Sequence, residues 1–377
     1  MRILVVGGGI AGAGVAAALA GRGDVTLVEQ EPTLAFHTTG RSAALFFENY
    51  GAPPIRPLSR ASRTFLEDPP PGSVDHPLLS PRGALIVGSD DDRVALDLEF
   101  EDGFSGVSGV QRLDGRGARA ICPALRPEAV TDAVWEPGAA DIDVAGLHQA
   151  FVRLLRRGGG DVMLGAELRS GAHGANGWRV ELVDREGMGS TWEGEVVVDA
   201  AGAWADVVAE RCGIRPVGLQ PMRRTAFMVP GSAASSAWPL VAEVRHRWYF
   251  KPDGEQVLCS LADETPSDPC DARPEELDVA LAIDRINTAT TLDIRHVRSS
   301  WAGLRTFAPD RSMVIGPDPE VPEFVWLAGQ GGTGIQTAPA AGRLAAAVAL
   351  GEAIPDDLLS TGCDVAALSP QRFHSAA

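Results

Sequence analysis

Apolar residues along this chain fall mostly into short blocks, and the blocks alternate with stretches of helical period. Ile3-Leu4-Val5-Val6 is such a block and breaks at Gly7-Gly8-Gly9, which predicts a buried strand feeding a glycine turn. Residues 15–20 are small and helix-compatible, and Val25-Thr26-Leu27-Val28 reads as a second strand closed by Glu29. Residues 143–157 set Val144, Leu147, Phe151, Leu154 and Leu155 on one side of a helix that Asp143 can cap. Strands are predicted at 84–87, 133–135, 162–164, 178–183 and 195–199, and helices near 59–66 and 94–101. Residues 37–50 read as a glycine- and hydroxyl-containing loop leading into a short helix.

From residue 222 to 260 the pattern shifts to short strands, at 226–229, 240–244, 247–251 and 256–260. Residues 275–289 read as a helix with Leu277 and Leu281 on its apolar face, and 294–304 as a strand region. The end returns to strand, glycine loop and helix, at 324–328, 329–334 and 337–350. Glycine turns near residues 7, 202 and 331 therefore sit in α/β stretches, with β-rich stretches between them. The simplest layout is α/β, a discontinuous nucleotide domain interleaved with a discontinuous antiparallel-sheet domain. The expected segments are 1–50, 139–221 and 311–377 for the first, and 51–138 and 222–310 for the second.

The opening unit carries the first chemistry. Gly7, Gly9 and Gly12 fit G-x-G-x-x-G, with Ile10 and Ala11 inside it and Glu29 seventeen residues further on. That spacing describes a dinucleotide site: a tight turn, close backbone approach to a pyrophosphate, and a helix N-terminus aimed at the phosphates. Glu29, next to Gln30, can accept the hydroxyls of an adenosine ribose. The segment Val196 to Trp204, with Ala201, Gly202 and Trp204 in its turn, is expected to form a second edge of the same site. Gly331-Gly332-Thr333-Gly334-Ile335-Gln336 favours FAD over NAD(H), because a helix entered there can aim N–H groups at the flavin pyrimidine carbonyl.

Composition narrows the picture. The 377-residue chain is long enough for two cores, and its net charge of −17 argues against nucleic acid or an anionic membrane as partner. Five dispersed cysteines without C-x-x-C suit reduced thiols in a cytoplasm, with no metal site. Residues 3–21 lack charge, but six glycines and the dinucleotide pattern explain them better than a membrane anchor.

Together, Val6 to Gly12, His37-Thr38-Thr39-Gly40-Arg41-Ser42-Ala43, Val198 to Trp204, Trp301-Ala302-Gly303-Leu304-Arg305 and Gly329 to Gln336 resemble the D-amino-acid oxidase superfamily of FAD enzymes. Within it the likeness is to the bacterial FAD-dependent D-arginine dehydrogenases, and it runs nearly end to end. The resemblance implies a Rossmann-like FAD-binding domain with non-covalent FAD, and adds Thr39, Gly40, Arg41, Ser42 and Ala43 to the cofactor site. It implies a substrate carboxylate held by Arg224 and Arg305, with the active-site tyrosines Tyr50 and Tyr249. A planar guanidinium binds a carboxylate through two parallel N–H bonds and would fix the substrate Cα–H against flavin N5 for hydride transfer. The product would be an imine, hydrolysed to a 2-oxo acid and ammonia.

Departures from the arginine enzymes bear on the substrate. Ala84 stands where they carry a glutamate for the guanidinium, and Leu45 and Phe47 replace polar residues. A buried cation without a partner is costly, so apolar D-amino acids are expected instead, with Glu48 as a candidate replacement acid. Sarcosine-oxidase-like attack on a secondary amine, oxidation of a 2-hydroxy acid, and a flavin-binding electron-relay subunit are the other readings. The electron acceptor is expected to be oxygen or another carrier.

Overall fold

The computed structural model describes residues 1–104, 109–233 and 235–374. Residues 105–108, 234 and 375–377, which fall inside the expected segments 51–138, 222–310 and 311–377, lie outside the described residues.

The four-residue block at the start forms the strand Arg2–Val6 in a six-stranded sheet. It is flanked by Asp24–Glu29 on one side and Val196–Asp199 on the other. Asp161–Leu164 and Phe324–Ala328 come next, and Val314–Pro317 closes one edge as the antiparallel member. Both faces are covered, which is why these strands are near-continuous apolar runs. Ile3 and Val5 pack with Val15 and Leu344 of the helices Ile10–Leu19 and Gly334–Ala349. Leu4 and Val6 pack on the other side with Trp178 and Trp326. Register aligns the strand ends: Val6 pairs with Val28 and with Asp199, and Asp199 pairs with Trp326. The three glycine turns therefore leave the sheet side by side, as ligand sites of such sheets require.

The second large sheet has nine strands. Its order includes Gln220–Pro230, Gln256–Ser260, Tyr249–Asp253, Leu240–Glu243, Ala84–Gly88 and Asp132–Glu136, with Ser299–Phe307 paired to the first of these. It corrects the expected antiparallel sheet in one place, since Leu240–Glu243 and Ala84–Gly88 run parallel. Alternation splits it cleanly. Phe227, Val241, Phe250 and Cys259 build a core on one face, while Arg224, Ala226, Met228 and Tyr249 occupy the other.

Two expectations fail locally. In the helix Glu276–Ala289 the inward residues are Ala282, Ile286 and Ala289, whereas Leu277 is 75% and Leu281 37% exposed. Small residues let the helix lie close to the sheet, so its larger leucines point away. No helix forms over residues 42–50. A 3₁₀ turn at Thr38–Arg41 leads into the short strand Leu45–Phe46, which pairs with Ala140–Ile142. The side chain of Gln336 holds the Phe47 backbone instead, accepting from its N–H at 3.0 Å and donating to its carbonyl at 3.2 Å. Sequence patterning also missed the strands Glu167–Gly174 and Gly189–Gly194, which are mostly polar or small and are exposed over most of their length.

Candidate active site

A long groove runs from the ends of the parallel strands to the open face of the nine-stranded sheet, enclosing about 1520 Å³ including its mouth. Gly7, Gly9, Ile10, Ala11, Glu29, Gln30, Thr39, Arg41, Ser42 and Ala43 line it from the first segment. Ala201, Gly202 and Trp204 line it from the second glycine turn, and Gly331, Gly332, Gly334 and Ile335 from the third. Arg224, Tyr249 and Arg305 line its other end.

The first half is built from backbone. Gly7 has φ of +107°, and a Cβ at Gly12 would stand 1.8 Å from the Gly7 carbonyl oxygen. At both positions a Cβ would collide with neighbouring backbone, so only glycine allows the tight turn that borders the groove. Glu29 is buried; its two oxygens accept from the N–H groups of Gly8 at 2.7 Å and Glu31 at 2.9 Å. Each oxygen retains a second lone pair for a ribose hydroxyl. Burial pushes this carboxyl above its ordinary range. Of the N–H groups at the start of helix Ile10–Leu19, that of Ile10 is already taken by the Thr39 hydroxyl at 2.9 Å. The tight turn, the buried acid and the converging helix N-termini fit a flavin dinucleotide. No cysteine lines the groove among the described residues.

Four expected cofactor residues act from behind. Gly12 packs against Gly7, and Gly40 packs 2.5 Å (as a Cβ) from the Ala35 carbonyl. Thr333 is buried and bonds the Gln330 carbonyl at 2.8 Å. Gln336 clamps Phe47 and the Ser59 hydroxyl. Arg41 reaches the groove, yet its guanidinium donates to the Ala272 and Ala302 carbonyls and to Asp271, tying the loop to the strand Ser299–Phe307. Conversely, sequence reading missed the wall formed by Ala166, Leu168, Val207 and Val208, which come from the start of the missed strand Glu167–Gly174 and from the helix Ala205–Arg211.

The second half is built from side chains. Arg224 and Arg305 lie on neighbouring paired strands, with Arg224 opposite Gly303 and Met222 opposite Arg305, so both project from one face. Arg305 donates to the Tyr50 hydroxyl at 3.2 Å and makes no ion pair among the described residues. Its charge pulls the Tyr50 phenol below its ordinary value. Arg224 donates to the Asp263 carbonyl at 2.6 Å and to Glu264 at 3.2 Å. Burial, and then the charge of Arg305, lower its pKa. The adjacent Arg223 points away into Glu275 and Asp278, which resolves the two arginines by alternation. Gly332 brings the third glycine turn against this pair: a Cβ there would lie 2.8 Å from Arg305 Nη1 and 2.9 Å from the Tyr50 oxygen.

Leu45, Phe47 and Ala84 do not line the groove. They gather with Tyr50, Ile86 and Val134 in a packed apolar cluster beside it. Glu48 turns the other way, accepting from Arg63 Nε at 2.8 Å, so it offers no acid to the groove. No metal-holding cluster and no helix long and apolar enough to cross a membrane occur among the described residues.

Comparison with known proteins shows the family and the fold. The family model described as FAD dependent oxidoreductase matches residues 2–348. The FAD-dependent oxidoreductase domain-containing protein 1 of Bos taurus is 33% identical over 178 residues, 41% of this chain and 35% of that protein. The chain thus matches about a third of that relative's length. The structure of glycine oxidase from Geobacillus kaustophilus superposes with a TM-score of 0.85 at 22% identity, covering 98% of this chain and 99% of that one. That of L-proline dehydrogenase from P. horikoshii gives 0.84 at 20%, covering 99% and 97%. At these identities the structures show the shared fold.

Proposed function

The chain belongs to the FAD-dependent oxidoreductase family, with FAD as its cofactor, and we propose that it oxidises the carbon–nitrogen bond of an amino acid held by its carboxylate. One observation carries this reading. Arg305 lies beside Arg224 at the groove end, bonded to a phenol and in no ion pair among the described residues, while the nearby carboxylate of Glu264 pairs with Arg224. One carboxylate does not satisfy two converging buried guanidiniums, and a substrate carboxylate would serve Arg305 in a planar, bidentate way. The Tyr50 hydroxyl, and Tyr249 from the adjacent strand, would complete the grip.

Bound FAD supplies the two-electron acceptor. The protein's part is to hold the acid end still, so that the Cα–H is presented in one orientation. Gly332 leaves room for the third turn to approach that point. Once the amine is neutral, its own lone pair assists as the Cα–H electrons depart, so no side-chain base is required. The imine product takes up water to give a 2-oxo acid and ammonia, and oxygen or a separate carrier reoxidises the cofactor.

The names of the neighbouring structures, a glycine oxidase and an L-proline dehydrogenase, support an amino acid as substrate class by analogy of fold. The D configuration rests on the motif resemblance. The preference for an apolar side chain over that of arginine rests on the sequence, where Ala84 stands in place of the acid that the arginine enzymes carry. Anaerobic mixing of the yellow protein with D- and L-amino acids, sarcosine and 2-hydroxy acids tests the reading. Bleaching by apolar D-amino acids, with little response to D-arginine, is expected. Bleaching confined to sarcosine or hydroxy acids would overturn it.

A further inference from the structure

We propose that Glu264 limits this site to substrates with a single carboxylate: it is a built-in anion that occupies Arg224, and its removal opens the site to dicarboxylic amino acids. This rests on the carboxylate clamp proposed above and narrows the substrate class that the clamp admits. The charges at the groove end are unequal. Arg224 and Arg305 both line the groove, from neighbouring strands and the same sheet face. Arg305 bonds the Tyr50 hydroxyl and is in no ion pair among the described residues. Arg224 already has an anion, since its Nη2 donates to Glu264 at 3.2 Å. Asp263 bonds Arg224 through its carbonyl, at 2.6 Å, while its carboxylate accepts from the Thr225 N–H at 2.7 Å. Two guanidiniums and one carboxylate leave one positive charge, which one substrate carboxylate balances.

Glu264 is anchored from behind. The Nη2 of Arg311 donates to its two oxygens at 3.0 Å and 2.8 Å. The Arg311 guanidinium lies 3.9 Å over the ring of Phe307, and a Cβ at Gly331 would collide with that same ring. The acid is thus tied to the third glycine turn. Its charge acts on Arg224, Arg305 and Tyr50 together. With the α-carboxylate of a substrate on Arg305, an apolar side chain brings no further charge to the groove end. A side-chain carboxylate reaching Arg224 would meet Glu264 across one guanidinium. A like charge placed against the wrong ligand is a direct means of rejecting it. With glutamine at position 264, Arg224 is left for that second carboxylate.

The test reads binding to the FAD-loaded protein. Pentanoate and the straight-chain dicarboxylates of four, five and six carbons are titrated in at pH 8, and perturbation of the flavin absorbance gives each Kd. Wild type should prefer pentanoate to all three dicarboxylates. Glu264→Gln should shift the ratio toward at least one dicarboxylate by about tenfold or more. Glu264→Ala should do the same and guards against loss of the first variant. Glu264→Asp keeps the charge and should keep the wild-type order. Adding Arg224→Gln to Glu264→Gln should remove the shift. A merely structural role for Glu264 would move all four acids together. Unchanged ratios in Glu264→Gln and Glu264→Ala overturn the inference alone. So does an equal shift in Glu264→Asp, a shift that survives Arg224→Gln, or a wild type that prefers a dicarboxylate. Absence of any response, wild type included, overturns the clamp and this inference with it.

Discussion

The two halves of the groove are built in different ways, and on the proposed function they would hold their ligands differently. The dinucleotide half is made of backbone: turns at Gly7 and Gly202, helix starts at Ile10 and Gly334, and one acid, Glu29. The other half, the proposed clamp, is made of long side chains, Arg224, Arg305 and Tyr249, with Tyr50 bonded to Arg305 from the loop beside it. Backbone sites fail when something is added, and side-chain sites fail when something is removed. The two halves can therefore be broken independently.

Addition should give the largest effect. Gly12→Val places a branched side chain where even a Cβ would lie 1.8 Å from the Gly7 oxygen. The variant should lose its flavin entirely on gel filtration, read as the ratio of visible to protein absorbance. Removal at the clamp comes next. Arg305→Ala should keep FAD but slow substrate-driven flavin reduction about a thousandfold, the loss of about 4 kcal/mol for a charge-assisted bidentate contact and its partner phenol. Arg224→Ala should cost less, about ten- to a hundredfold, because Glu264 and the Asp263 carbonyl already share its guanidinium. Stopped-flow bleaching of the retained flavin checks both. If Arg305→Ala lost its flavin and Gly12→Val did not, the division would be wrong.

The smallest effect is on stability. The Glu136 carboxyl rises from its ordinary 4.5 to about 7 in the fold. The folded state then binds the proton more tightly than the unfolded state. Stability should be full below about pH 4.5 and fall as the pH climbs through 7, by a total of about 3 kcal/mol. Glu136→Gln should flatten that slope and raise the denaturation midpoint at pH 8, with little change at pH 5. A slope that persists in the variant would assign it to other groups.

The same contrast explains what sequence revealed. Glycine turns and apolar strands are local, so the fold of the parallel sheet and most of the dinucleotide wall were legible from Gly7, Gly202, Gly331 and their flanks. Alternation says only that one of Arg223 and Arg224 faces inward; the motif resemblance picks Arg224, and its registered pairing with Gly303 orients it toward the groove. The apolar cluster was harder. Its members come from segments far apart in the chain, among them Phe47, Ala84, Leu96, Val134, Ala139 and Val244, and only cross-strand register shows that Glu136 stands opposite Ala84. Glu48 misled because residue type gives no direction; its tie to Arg63 is a contact with the helix Arg56–Glu67. Leu277 and Leu281 misled likewise, since the sheet accepts the small residues of that helix and leaves the leucines outside.

The central claim is that the substrate is held through its carboxylate at Arg305. The most direct measurement compares anaerobic flavin reduction by an amino acid and by the amine that lacks its carboxyl group, in wild type and in Arg305→Ala. The account predicts that wild type reduces with the acid at least a hundredfold faster than with the amine, and that the difference largely disappears in the variant. Equal rates for acid and amine in the wild type would contradict it.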